Sequence, residues 1–169
     1  MKRLCTGAAA IALAAFVTAH SASAQGVRFG LGATALVNLG SGSYTAIGGI
    51  GMVGFGGRAD RPLSFRVDAT VVNGSGATLE LVSADAVYAP HSPTAVLHPY
   101  GLLGAGFQHG PGNTDPLVKG GVGFDYHLFK RNHGTALFGE GTFDVVFRGS
   151  GYGTGKSLQL NLGLKFGES

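Results

Sequence analysis

From Ser157 to Phe166 the chain alternates without a break: Leu158, Leu160, Leu162, Leu164 and Phe166 against Ser157, Gln159, Asn161, Gly163 and Lys165. Period two throws the two sets onto opposite faces of a β-strand, and no helical period accommodates it. One face is wholly apolar and the other is polar and carries a lysine. Such a strand suits hydrocarbon on one side and a wet interior on the other. Whatever fold the chain adopts must satisfy both faces.

The N-terminus adds a second constraint. Met1-Lys2-Arg3 is basic, Ala8 to Ala19 is apolar, and Ala22-Ser23-Ala24 is a small-residue cleavage site. This is the layout of a secretory signal peptide, and the apolar run is too short to be kept as a membrane span. Residues 1–24 are therefore expected to be removed, leaving residues 25–169 as one domain by length. The single cysteine, Cys5, lies within the signal ahead of its apolar run, so no disulfide is expected in the exported chain. Lys2 and Arg3 leave with the signal, which brings ten basic residues against nine acidic ones and removes any basic footprint for nucleic acid. Charged residues are only 12% of the chain, about half the usual share, and glycine is abundant at 31 of 169 residues without a collagen period. No stretch after the signal reaches the roughly 18 apolar residues of a transmembrane helix. Such a chain can still cross a membrane as a closed barrel.

Seven further segments read as strands. Val27 to Asn38 sets Val27, Phe29, Leu31, Ala33, Ala35 and Val37 against Arg28, Gly30, Gly32, Thr34 and Asn38. Tyr44 to Gly56 is glycine-rich with small residues on both parities, so its facing stays open. Leu63 to Val72 alternates clearly and runs into Asn73-Gly-Ser-Gly76, a tight hairpin signal. Ala77 to Ala89 places Leu79 and Leu81 on one face, with a parity slip before Tyr88 that a bulge would explain. Tyr100 to His109 follows, then Gly110 to Asp115 as a loop. Leu117 to Leu128 and Thr135 to Phe147 complete the set. These are about the length of tilted strands crossing a bilayer. The six prolines (Pro62, Pro90, Pro93, Pro99, Pro111 and Pro116) fall at strand ends or in connections, as a closed sheet requires. Phe29, Phe55, Phe65, Tyr88, Tyr100, Tyr126, Phe138 and Phe166 mark one end of successive strands as an aromatic girdle, although Phe138 has the opposite parity.

If the apolar parity faces lipid, the polar parity fills the interior. It then holds Arg28, Arg66, Lys119 and Lys165 against Asp68, Asp125, Glu140 and Asp144, with Glu80 as a further candidate. Eight strands enclose a lumen just wide enough for side chains, so this balanced set is expected to form a packed, paired polar core with a structural role, a gated or very narrow polar path being the alternative. Inward glycines leave room for the long basic side chains.

Other motifs yield to plainer readings. Ser150 to Ser157 comes close to a phosphate-binding P-loop, but Ser150 stands where the first glycine belongs and a strand follows where a helix should start. Gly49-Ile-Gly-Met-Val-Gly54 matches GxGxxG with no helix behind it. His91, His98, His109, His127 and His133 show no metal-ligand spacing. No cofactor, metal or catalytic residue is expected.

A closing strand with an aromatic near the C-terminus resembles that of bacterial outer-membrane β-barrels; here Gly167-Glu168-Ser169 follow the aromatic. With the signal peptide, eight alternating segments and short connections, the exported chain as a whole resembles the small OmpA/OmpX-type β-barrel domain. The resemblance implies an all-β, eight-stranded antiparallel up-and-down transmembrane barrel in the outer membrane of a Gram-negative-type bacterium, with both termini in the periplasm. It implies outer-membrane lipids as surroundings, and an insertion machinery that reads the last strand through Leu160, Leu162, Leu164 and Phe166. A monomer is expected, with no added periplasmic domain and no nucleic acid partner. Short connections suit a structural or membrane-maintaining role, without catalysis. Two alternatives are a secreted lipocalin-like barrel with the faces inverted around an apolar ligand, and an outer-membrane hydrolase acting on lipid. In the lipid A deacylases a His and a Ser lie two residues apart; beyond His127 that place is held by Phe129.

Overall fold

The computed structural model describes residues 26–40, 43–56, 62–90, 95–128, 134–149 and 153–167. The expected signal peptide, His91, His133 and Ser150 to Tyr152 lie outside them. Eight strands follow one another: β1 (Val27–Asn38), β2 (Thr45–Gly56), β3 (Leu63–Gly74), β4 (Ala77–Tyr88), β5 (Leu97–Gly110), β6 (Asn113–His127), β7 (Thr135–Phe147) and β8 (Thr154–Phe166). Each pairs antiparallel with its sequence neighbour, and β8 pairs with β1, so the sheet closes as an up-and-down barrel. The closing seam runs from Phe29 opposite Phe166 to Asn38 opposite Ser157. Closure leaves no unpaired strand edge, which is how a sheet with an apolar exterior avoids further pairing.

The hairpins differ in tightness. Ser75 and Gly76 both have positive φ (51° and 78°), the mirror-image turn that matches the twist of β3 and β4. Between β5 and β6 only Pro111-Gly112 turns the chain, with Gly110 already paired to Asn113. The expected loop from Gly110 to Asp115 is therefore mostly strand, made possible by Gly112 at φ 91°. Pro116 consequently sits inside β6, and Pro99 sits inside β5 because that strand begins at Leu97, ahead of the expected Tyr100; each lies within a few residues of a strand end.

The expected bulge in β4 is absent. β3 and β4 pair without interruption from Leu63 opposite Tyr88 to Gly74 opposite Ala77. Val87 simply points inward like Leu79 and Leu81, packing with Tyr100 and Leu102 at the terminal end, while Val82, Ala84 and Tyr88 point out. The apparent slip came from apolar residues occupying both faces.

Outside and inside differ sharply. Leu158, Leu160, Leu162, Leu164 and Phe166 of β8 all face outward and are exposed. Around the barrel, Ile47, Phe65, Leu103, Phe107 and Val122 are each at least 60% exposed. Glu80, His109 and Lys156 face outward only near the hairpin end, meaning the end formed by the β1–β2, β3–β4, β5–β6 and β7–β8 connections. Between that rim and the end holding the termini, no Asp, Glu, Lys or Arg of the described residues points outward. Glu80 is thus an exterior residue and not part of the lumen.

Candidate functional site: the filled lumen

Alternation delivers one inward position every second residue, and eight converging strands bring those positions within reach of one another. Arg66 of β3 is the hub. Its Nη1 donates to Glu140 Oε2 at 2.7 Å and its Nη2 to Glu140 Oε1 at 3.0 Å, a two-pronged pairing between β3 and β7 on opposite walls. Nη2 also donates to Asp68 Oδ2 at 2.9 Å. Nε lies 2.8 Å from Asp68 Oδ1, close enough for an ion pair but not aligned as a hydrogen bond. Lys119 of β6 sits between two carboxylates, 2.8 Å from Asp68 Oδ2 and 2.9 Å from Asp85 Oδ2.

Neutral groups complete the cluster. Tyr100 donates its hydroxyl to Glu140 Oε2 at 3.0 Å, and Asn161 donates its amide to Glu140 Oε1 at 3.1 Å. Gln159 reaches both Asn161 and Thr70. Thr142 donates to Asp144 Oδ1 at 3.1 Å, while Asp144 Oδ2 has no hydrogen-bond partner. Nearer the termini, Lys165 holds both oxygens of Asp125 at 2.6 and 2.9 Å, and its ammonium lies 4.3 Å from the centre of the Tyr100 ring.

Eight charged residues are buried here: Arg66, Lys119 and Lys165 against Asp68, Asp85, Asp125, Glu140 and Asp144. Arg28 stands half-buried near the terminal end, donating from Nη2 to Gly56 O at 3.0 Å. Asp85 is the residue that sequence reasoning missed, because the supposed bulge left the facing of β4 undecided. With it, the carboxylates outnumber the cations and the expected four-to-four balance does not hold.

Glycines shape the cavity around this cluster. Tyr100 and Phe138, expected in the aromatic girdle, are instead buried in the lumen. A methyl on Gly123 would fall 2.5 Å from the Tyr100 ring, and one on Gly32 would fall 3.0 Å from Phe138. Only residues without a Cβ let these rings fold inward. The girdle that remains, Phe29, Phe55, Phe65, Tyr88, Tyr126 and Phe166, faces outward at the terminal end.

The lumen is not polar throughout. At the hairpin end Leu36, Ala46, Val72, Leu79, Leu81, Leu117 and Val146 form one buried apolar cluster, with Tyr44 packed against it. An expectation of a wholly polar core is corrected by this plug, whose members are the apolar residues that broke the alternation of their strands. At the opposite end a cavity of about 40 Å³ opens beside Arg28, Met52, Arg66, Tyr100, Asp125 and Lys165.

His98 and His127 meet edge to face with ring centres 4.8 Å apart, a pairing across β5 and β6 that spacing in sequence concealed. Among the described residues no group of three or more His, Cys, Asp or Glu is placed to hold a metal. The GxGxxG match lies inside β2, and the next element among the described residues is the strand β3.

No protein-family model matches the chain, and no curated protein matches it in sequence. Solved structures do resemble it. Neisserial surface protein A matches with a TM-score of 0.72 at 16% identity, over 83% of this chain and 96% of that one. The N-terminal β-barrel domain of Pseudomonas aeruginosa OprF matches at 0.54 and 17%, over 84% and 98%. The outer membrane protein OprG of the same organism matches at 0.54 and 12%, over 84% and 96%. What is shared is the fold: this chain is a closed eight-stranded barrel of the kind found among small outer-membrane proteins.

Proposed function

We propose that the chain is a small integral outer-membrane β-barrel with a structural or membrane-maintaining role and no catalysis. One observation carries this reading: the uncharged apolar belt on the outside of a barrel that keeps its charges inside. From Leu158 to Phe166 the belt spans about 20 Å along the axis, taking about 3.3 Å per residue and about 40° of tilt. Aromatics at the terminal end and the polar rim of Glu80, His109 and Lys156 at the other bracket it as headgroup regions would. The shared fold with outer-membrane proteins points the same way. A lipocalin-like chain in water would need the faces reversed, since apolar patches beyond a few hundred Å² are rare on soluble monomers.

In this reading the terminal end faces the periplasm and the hairpin end the exterior. The β8 face of Leu160, Leu162, Leu164 and Phe166 serves both as lipid contact and as the signal read by the insertion machinery. The barrel completes its own ladder and acts as a monomer. Fractionation tests the assignment. Expressed in a Gram-negative host, the protein should resist carbonate extraction from the outer membrane and change gel mobility on boiling. Recovery in the soluble periplasm without a heat shift would refute it.

A further inference from the structure

Most inward glycines of the lumen give their room to a neighbour. A Cβ added at Gly30 would fall 2.5 Å from Met52, one at Gly104 would run into the Asp85 carboxylate, and one at Gly123 would meet the Tyr100 ring. Gly54 differs. It faces inward on β2, between Arg28 of β1 and Arg66 of β3 in one register row. The atom nearest its Cβ position is Arg28 Cβ, at 3.7 Å, so nothing fills the space. That space belongs to the terminal-end cavity of about 40 Å³.

The cavity is basic. Arg28, Arg66 and Lys165 line it, and Asp125 is the one carboxylate among its described lining residues. Arg66 supplies charge alone, since its guanidinium is turned to Glu140 and Asp68. Donors come from elsewhere. The Lys165 ammonium has three N–H groups, and the two oxygens of Asp125 engage two of them. Arg28 stands half-buried at the mouth, with one N–H on Gly56 O. Ser64, inward on β3 and only 6% exposed, makes no side-chain hydrogen bond to a described residue. Met52 and Val87 supply an apolar wall.

We infer that this cavity is a binding site for a carboxylate group, held by Lys165, Arg28 and Ser64 in the space that Gly54 keeps open. Size selects the ligand class. Room for about three waters, at roughly 10–15 Å³ each, matches the three heavy atoms of a carboxylate and falls short of a phosphate. The apolar wall suits a methyl or short chain behind the carboxylate. A short free acid and the C-terminus of a peptide offer the same chemistry. The inference goes beyond the membrane reading by giving the barrel a ligand at its terminal mouth.

The test is a nuclear magnetic resonance titration of the full-length protein folded in detergent micelles, with folding verified by the heat shift. Sodium acetate should move the Gly54 amide and Arg28 Nε signals saturably, with a dissociation constant on the order of 1 mM for so small a ligand. Sodium chloride at equal ionic strength should not. Gly54→Leu keeps every charge but fills the space, and should abolish the saturable response. Arg28→Gln removes a charged donor and should weaken acetate by about tenfold. An acetate response that is absent, that chloride reproduces or that survives Gly54→Leu overturns the inference. So does tighter binding of inorganic phosphate than of acetate.

Should Gly54→Leu not fold, Gly54→Ala places a methyl at ordinary contact distance and Ser64→Ala removes a neutral donor. Each should weaken acetate by about threefold, and unchanged binding in both contradicts the site. The peptide Gly-Gly-Ala and its C-terminal amide separate the two sources. Tighter binding of the free peptide than of acetate, lost in the amide, assigns a peptide terminus; tighter binding of acetate assigns a short free acid. A folded barrel that binds acetate but fractionates with the soluble periplasm contradicts the membrane reading alone. One that sits in the outer membrane and ignores acetate contradicts the site alone.

Discussion

The exterior and the lumen of this barrel are built from the same strands, one residue apart, yet they follow opposite rules. Leu162 is 56% exposed, while its neighbour Asn161 is 4% exposed and bonded to Glu140. In water such a molecule would be inside out, since charged residues are almost never fully buried and large apolar side chains seldom cover a surface. On the proposed reading the difference follows from two solvents: charge pairing holds the inside, and hydrocarbon would satisfy the outside.

Breaking the inside should cost most. Arg66→Ala leaves Glu140 and Asp68 buried without their principal partner and should destabilise the barrel by about 3–5 kcal/mol, measured by denaturant unfolding in lipid vesicles. A smaller loss would mean that water already solvates the cluster. Next is the outside. Leu162→Arg places a cation in the middle of the apolar belt and should cost about 2–4 kcal/mol in the same assay. Little effect in vesicles would show that position 162 does not meet hydrocarbon.

Smaller changes sharpen the contrast. Tyr100→Phe keeps the ring against Gly123 but removes one donor from Glu140, which retains Arg66 and Asn161. The loss should be about 1.5 kcal/mol, the low end for a hydrogen bond to a charged group. Glu80→Gln, on the exposed rim, should change stability by no more than about 0.5 kcal/mol. A large effect there would place Glu80 in an interaction that the lumen and belt do not explain.

How far the sequence revealed this architecture depended on whether polarity and facing coincided. In β1, β3 and β8 most outward residues are apolar and most inward ones polar or glycine, so period two was readable directly. β4 defeated the pattern because Leu79, Leu81 and Val87 point into the lumen while Val82, Ala84 and Ala86 point out. Apolar residues on both faces erase the signal, and Asp85 was lost with it. Tyr100 and Phe138 misled for a related reason: an aromatic near a strand end suits a girdle as well as a cavity, and only the glycines across the ladder decide between them. The pairing of Arg66 with Glu140 joins walls 74 residues apart and was beyond any local pattern.

The most direct test uses a nitroxide spin label at each position from Leu158 to Phe166, in protein reconstituted into vesicles, with collision rates measured against dissolved oxygen, which concentrates in hydrocarbon. Oxygen collisions should peak at 158, 160, 162, 164 and 166 and fall at 159, 161, 163 and 165, with the alternation strongest in mid-belt. Uniformly low values, or peaks on the Gln159, Asn161 and Lys165 parity, would contradict a barrel whose Leu-rich face meets lipid.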